Sequence, residues 1–152
     1  MKVLIAYYSH SGTTRKIAEQ IKNATDSDLF EIRCESPYPT DYTACTKQAK
    51  RDIAEGFKPK LKGEIPDASG YDTILVGSPN WWSTIATPVT SFLSTIDTTG
   101  KVIAPFITHG GGGLNNTVRD IRKLCPNADV LDGFDANRSN QLTEWINKLN
   151  IR

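Results

Sequence analysis

The chain has 152 residues, 38% of them hydrophobic and 23% charged, with a formal net charge of +1 at pH 7. Such values describe a single domain, residues 1–152, with one buried core. They exclude a binder of nucleic acid built on a strong basic field, a low-complexity chain and a membrane-spanning segment.

Lys2 to Tyr8 is an apolar run, predicted to be a centre strand covered on both faces. It is too short for a secretory leader, and Cys34, Cys45 and Cys125 form no C-x-x-C or metal-like spacing. Reduced thiols and a cytoplasmic location are therefore expected. Ser9-His10-Ser11-Gly12-Thr13-Thr14 follows, then a helix with Ile17, Ala18, Ile21 and Ala24 on one face. Leu29 to Cys34 alternates apolar with charged residues, as a half-exposed edge strand does. Pro37-Tyr38-Pro39 is an extended turn, and a helix runs through Cys45, Ala49 and Ile53. Around it, Lys47, Lys50, Arg51, Lys58, Lys60 and Lys62 outnumber Asp52 and Glu55, which reads as a solvated helix face and loop.

Thr73 to Val76 is a third strand that ends at Gly77-Ser78-Pro79. Val89, Phe92, Leu93 and Ile96 mark the next helix, with Pro88 in its first turn. Lys101 to Thr108 is the fourth strand, blemished by Pro105, which cannot donate to a ladder. Gly110 to Gly113 is expected to open a helix bearing Val118, Ile121 and Leu124. A short strand near Val130-Leu131 and a helix through Leu142, Trp145, Ile146 and Leu149 complete the pattern.

Strands alternating with helices give an α/β class: a doubly wound, five-stranded parallel sheet with helices on both faces. The edge-like second strand favours the order 2-1-3-4-5, with ligands beyond the carboxyl ends of strands one, three and four. Three unusual loops meet there: Ser9–Thr14, Ser78–Ile85 and Thr108–Gly113.

The first loop sets hydroxyls of Ser9, Ser11, Thr13 and Thr14 beside a helix start, where backbone N–H groups and the dipole favour a phosphate. Each charge-assisted contact is worth about 1.5–3 kcal/mol, so a monophosphate needs no formal cation. Arg15 and Lys16 add a screened field, and the plainer alternative is a helix cap by Ser11 or Thr13. In the second loop, Asn80-Trp81-Trp82-Ser83-Thr84-Ile85, both tryptophans cannot enter the same side of the core. Either one of them stacks on a planar ligand, or one is core and the other caps the third helix. Thr108-His109-Gly110-Gly111-Gly112-Gly113 lets backbone approach closely and offers amides to a heterocycle; the alternative is a glycine hinge. His109 is open between a ligand partner and an exposed side chain.

A phosphate cradle, an aromatic wall and an amide wall describe a planar ring carrying a phosphorylated side chain. Taken together, these loops make the chain resemble the flavodoxin-like family over essentially its whole length. The Ser9–Thr14 loop is close to the family's Thr/Ser-x-Thr-Gly-x-Thr pattern, followed by Gly77-Ser78-Pro79-Asn80-Trp81-Trp82 and Thr108-His109-Gly110-Gly111. Tyr38-Pro39-Thr40-Asp41-Tyr42, with Pro66 and Tyr71-Asp72, resembles a bacterial branch of small members.

The resemblance implies FMN. Its phosphate would lie on Ser9, His10, Ser11, Gly12, Thr13 and Thr14, and its ring against Trp81 or Trp82. Main-chain contacts would come from Ser78 and Pro79 to Ser83, and the pyrimidine edge would meet Thr108, His109, Gly110, Gly111 and Gly112. No catalytic side chain and no metal is expected. The implied activity is an electron carrier, or a reductase of quinone-like or nitroaromatic compounds, with a redox protein or small acceptor as partner. The chain would be a monomer or homodimer.

Two features depart from the family. Electron-shuttling flavodoxins are typically acidic, whereas this chain is near neutral. Several members have a glycine after the stacking aromatic, whose peptide turns over to hold the one-electron-reduced flavin. If Trp81 stacks, that place is Trp82, where turning to positive φ costs on the order of 1–3 kcal/mol, which favours two-electron chemistry. Tyr42 and the 38–42 loop are expected to be buried beside the second helix rather than to cover the flavin.

Other readings compete. A signalling receiver needs acidic residues where Tyr8-Ser9 and Ser78-Pro79 stand. A nucleotide hydrolase needs a lysine in the first loop, which has none. Cys45 and Arg51 have the Cys-x5-Arg spacing of a phosphatase but fall within the predicted second helix, not in a loop after a strand. A binding module that has lost its cofactor is the remaining alternative, against which the intact first loop argues. Gly110–Gly113 lacks the nicotinamide fingerprint.

Overall fold

β1 (Val3–Tyr7) is buried along its whole length in the computed structural model, which describes residues 2–151. Val3, Ile5 and Tyr7 enter one core cluster while Leu4 and Ala6 enter another, so the strand carries two buried faces. It pairs in parallel with β2 (Asp28–Glu31) and β3 (Thr73–Trp81). β3 pairs in parallel with β5 (Val102–Thr108), and β5 with β6 (Asp129–Val130) and β7 (Phe134–Asp135). The path β2-β1-β3-β5-β6 is the order expected from the sequence, with β4 (Thr84–Ile85) folded back antiparallel on β3.

The fifth position is split between β6 and β7, and Pro105 accounts for the break. The carbonyls of Ile103 and Ile107 accept from the amides of Leu131 and Ala136 at 2.9 and 2.8 Å. Alternate residues of a parallel strand serve the same neighbour, so Pro105 faces that side with no N–H to give. The chain bows away at 131–133. Gly133 passes so close to the helix Thr117–Leu124 that a Cβ there would lie 2.6 Å from Val118 Cγ2.

α1 (Thr13–Ala24) and α5 (Leu142–Leu149) cover one face with Ile17, Ile21, Leu142 and Ile146. α3 (Thr87–Thr95) and α4 (Thr117–Leu124) cover the other with Val89, Phe92, Leu93 and Ile121. α2 (Tyr42–Glu55) starts where the Asp41 carboxylate accepts from the Ala44 amide at 2.9 Å. Its Cys45 and Ala49 pack on Cys34, Tyr38 and Trp81.

Four expectations need correction. β2 stops at Glu31, and Cys34 instead bridges antiparallel to Leu61. β3 continues through Pro79 to Trp81, because the β4 hairpin extends it. β7 was not expected at all. Gly110 to Gly113 opens no helix: α4 begins at Thr117, after Asn115 has taken a φ of 44° that no helix accepts. No helix among the described residues is long and apolar enough to cross a membrane.

Candidate functional site

A cavity of about 520 Å³ lies at the carboxyl ends of β1, β3 and β5, lined by parts of all three loops. At the first loop, Gly12 is the N-cap of α1, with φ 98° and no side-chain cap. The capping role considered for Ser11 or Thr13 is therefore not taken. Positive φ suits glycine, and it bends the chain so that Gly12 N–H donates to Ser9 Oγ at 3.0 Å. Among the described residues no protein acceptor meets the amides of Thr13, Thr14 and Arg15, which leaves the positive end of the helix open.

The side chains around this opening are uncharged donors. The Ser11 and Thr13 hydroxyls lie 3.3 Å apart, and buried Thr14 and Thr108 share a hydrogen bond at 2.8 Å. That pair uses one hydroxyl proton and keeps the other. His10 Nε2 donates to the Pro39 carbonyl at 2.7 Å, pinning the loop to the segment before α2. Arg15 is committed elsewhere: it hydrogen-bonds Glu31, whose other oxygen accepts from Arg33 at 2.7 Å. Burial would raise the Glu31 pKa, but the two guanidinium groups outweigh it and hold the carboxyl below its ordinary range. The expected field from Arg15 is thus answered by its own carboxylate.

The second loop is a tight hairpin. Asn80 pairs with Ile85 and Trp81 with Thr84, so the turn is only Trp82-Ser83, at φ 53° and 73°. Two left-handed residues define a type I′ turn, which twists with the strands but ordinarily requires Asn-Gly. Here it is built from two residues that carry a Cβ, each strained by about 1 kcal/mol or more. The expected cost of positive φ at Trp82 therefore belongs to the resting turn, not to a later change of state. Three contacts hold it: Asn116 N–H to the Ser83 carbonyl at 2.9 Å, Trp82 Nε1 to the Thr46 carbonyl at 2.9 Å, and Lys50 Nζ 5.0 Å from the Trp82 ring centre. Ser83→Gly should raise stability by about 0.5–1 kcal/mol and the melting temperature by roughly 2–4 °C. A calorimetric scan that shows no gain would mean the turn is unstrained.

The two tryptophans separate. Trp81 is half-buried, with edge contacts to Tyr38, Tyr8 and His10 at ring-centre distances of 4.8, 5.4 and 6.3 Å. Trp82 is 52% exposed, and both line the cavity. The alternative that one caps α3 is not realised: Ala86 is the N-cap of that helix.

In the third loop His109 is part-buried and its ring holds the loop. Gly111 N–H donates to Nδ1 at 3.0 Å, so Nε2 carries the proton and donates to Asp135 at 2.8 Å. Asn137 completes the clamp, accepting from His109 N–H at 3.0 Å and donating to its carbonyl at 2.6 Å. Asn80 Nδ2 ties the second loop to the third by donating to the Gly113 carbonyl and Asn115 Oδ1, both at 2.8 Å. The glycines are a fastened wall, not a hinge.

Of the residues singled out, His10, Ser11, Thr13, Thr14, Pro79, Asn80, Trp81, Trp82, Thr108, His109 and Gly110 line the cavity. Ser9, Gly12, Ser78, Ser83, Gly111 and Gly112 do not. Ser9, Gly12, Ser83 and Gly111 shape the loops as described. Ser78 is fully buried and donates to the Pro79 carbonyl while accepting from Ala86 N–H at 3.0 Å. Sequence reading missed α2 altogether as a wall: Tyr42, Cys45, Thr46 and Ala49 line the cavity. Their spacing of three, four and seven residues was the available signal for one helical face. Tyr42, expected to be buried, is 73% exposed at the rim. Burial raises the Cys45 thiol above its ordinary pKa and pushes that of Cys34 up to about 11, so both stay protonated near neutral pH.

A family model described as Flavodoxin matches residues 2–149. A flavoprotein from Lactobacillus acidophilus, solved in complex with FMN, is 30% identical with a TM-score of 0.79, over 93% of this chain and 98% of that one. A candidate flavoprotein from Bacteroides eggerthii is 25% identical with a TM-score of 0.88, over 99% of both chains. Oxidised flavodoxin 2 from Bacillus cereus, at 19% identity and a TM-score of 0.61, shares the fold over 99% of this chain and 98% of its own.

Proposed function

The chain belongs to the flavodoxin family, and from that premise we propose that it binds FMN non-covalently in the cavity and acts as a redox protein. One observation carries this reading: an uncapped helix start ringed by hydroxyls shares a single cavity with two adjacent tryptophans. The residues fit the group. Ser11, Thr13, Thr14 and the open amides of α1 would hold the phosphate without a formal cation. Trp81, fixed by three edge contacts, would be the rigid wall against the ring, and Trp82 its outer cover. Gly111 N–H is engaged by His109, so Gly110 would serve the pyrimidine edge.

When bound, FMN supplies reversible electron and hydride chemistry; the protein orients it and sets its surroundings. The thiol of Cys45 and the phenols of Tyr8 and Tyr38 are kept protonated by burial, so none offers an anion to the reaction. The half-exposed rim at Trp82 suits either a carrier that meets partner proteins or a reductase of quinone-like and nitroaromatic acceptors. Three unpaired, buried cysteines support a reducing, cytoplasmic setting.

FMN titrated into the apo-protein should be taken up one to one, with quenching of flavin fluorescence. No uptake at micromolar protein would sink the reading. A reductive titration then separates the finer roles: two resolved steps support the carrier, one concerted step the reductase.

A further inference from the structure

The outer face of α2 carries more positive than negative charge, with Lys47, Lys50 and Arg51 exposed against Glu55. Successive helical residues are about 100° apart, which places Lys50 beside the cavity-lining stripe and Lys47 and Arg51 further round the helix. None of these three cations joins an ion pair among the described residues. The acids of this element do not pair with them: Asp41 caps the helix, Asp52 is buried against Tyr38, and Glu55, one helical turn beyond Arg51, forms no ion pair with it. Carboxylates elsewhere around the cavity are already answered. Glu31 meets Arg15 and Arg33, Asp120 meets Arg119, and Asp135 meets His109 and Arg138. A near-neutral chain therefore shows a net positive outer face on α2, with Lys50 at its cavity edge.

Exposed aromatic surface adjoins that face at the cavity edge. Tyr42 is 73% and Trp82 52% exposed, and Lys50 lies against the Trp82 ring. Tyrosine, tryptophan and arginine are the residues that protein interfaces favour, and a cationic rim selects its partner by charge. We propose that this face of α2 docks a small acidic protein, whose carboxylates meet Lys47, Lys50 and Arg51 while Tyr42 and Trp82 are covered. Trp82 lines the cavity as well, so a partner seated there faces the FMN, provided the functional reading above holds.

The test measures binding of the FMN-loaded protein to immobilised plant-type [2Fe–2S] ferredoxin as an acidic probe and cytochrome c as a basic one. Ferredoxin should bind in about 20 mM salt and roughly tenfold more weakly in about 300 mM, with little binding to cytochrome c. K47Q/R51Q should weaken ferredoxin binding, and K47E/R51E should weaken it more, by about tenfold or greater. Neither Lys47 nor Arg51 lines the cavity, so both variants should keep FMN uptake and the helical circular-dichroism signal. Unchanged ferredoxin binding in the variants, tighter binding of cytochrome c, or preference for vesicles rich in anionic lipid over ferredoxin would each overturn the proposal. Intact FMN uptake with a flat ferredoxin series removes the docking surface alone. A graded ferredoxin series without FMN uptake leaves the surface standing and removes the functional reading.

Discussion

Ser11→Ala combined with Thr13→Val is expected to raise the FMN dissociation constant by about two to four powers of ten. Each substitution removes one donor to a charged phosphate, worth about 1.5–3 kcal/mol, and about 1.4 kcal/mol corresponds to a factor of ten. The fold should be indifferent, because both residues are exposed and their hydroxyls meet only each other, at 3.3 Å. Valine also keeps the shape of threonine at the first helical position. Some affinity should persist, since the amides of α1 remain open and the tryptophans are untouched. Riboflavin, which lacks the phosphate, provides the control: its weaker binding should be the same in parent and variant. Calorimetric titration with both ligands checks the pair. A dissociation constant for FMN within about threefold of the parent would show that the phosphate lies elsewhere, because even one lost contact exceeds that margin.

Tyr38→Phe should destabilise the protein by about 2–3 kcal/mol and lower its melting temperature by roughly 5–10 °C. The Tyr38 hydroxyl donates to the carboxylate of buried Asp52 at 2.7 Å and receives the Thr87 hydroxyl at 2.5 Å. It thereby joins the segment before α2, the helix itself and the start of α3. Phenylalanine fills the same volume, so no cavity contributes, and the loss comes from leaving a carboxylate and a hydroxyl without partners. Asp52→Leu added to Tyr38→Phe should recover part of the loss, because removing both partners is less costly than stranding one. The ring of residue 38 still packs edge-on to Trp81, so FMN affinity should change far less than stability. Melting curves of the two single variants and the double variant decide it. A fully stable Tyr38→Phe would mean that water replaces the phenol at Asp52.

These two expectations differ in how far the sequence could carry them. The hydroxyl loop was legible at once: Ser9 to Thr14 stands between an apolar strand and an amphipathic helix, and its composition alone suits a phosphate. The Tyr38–Asp52–Thr87 link was not, since its members are separated by 14 and 49 positions and nothing local joins them. From the sequence, Asp52 reads as one of the solvated charges of a basic helix. His109 shows the same limit, because its role depends on Asp135 and Asn137, which lie in and beside the unexpected β7.

Sequence by itself determined the inner position of β1, the amphipathic helices and the loop chemistry, because periodicity and turn preferences act between residues a few positions apart. Pro105 even announced a disturbance in its strand, though not that the neighbouring position would split around it. Tertiary structure decided which faces meet. It turned the Tyr42–Ala49 stripe of α2 into a cavity wall, placed positive φ at Trp82 and Ser83, and joined Thr14 to Thr108 across 94 positions. Such contacts arise only when distant segments pack, so their energies are invisible to any rule that reads neighbours along the chain.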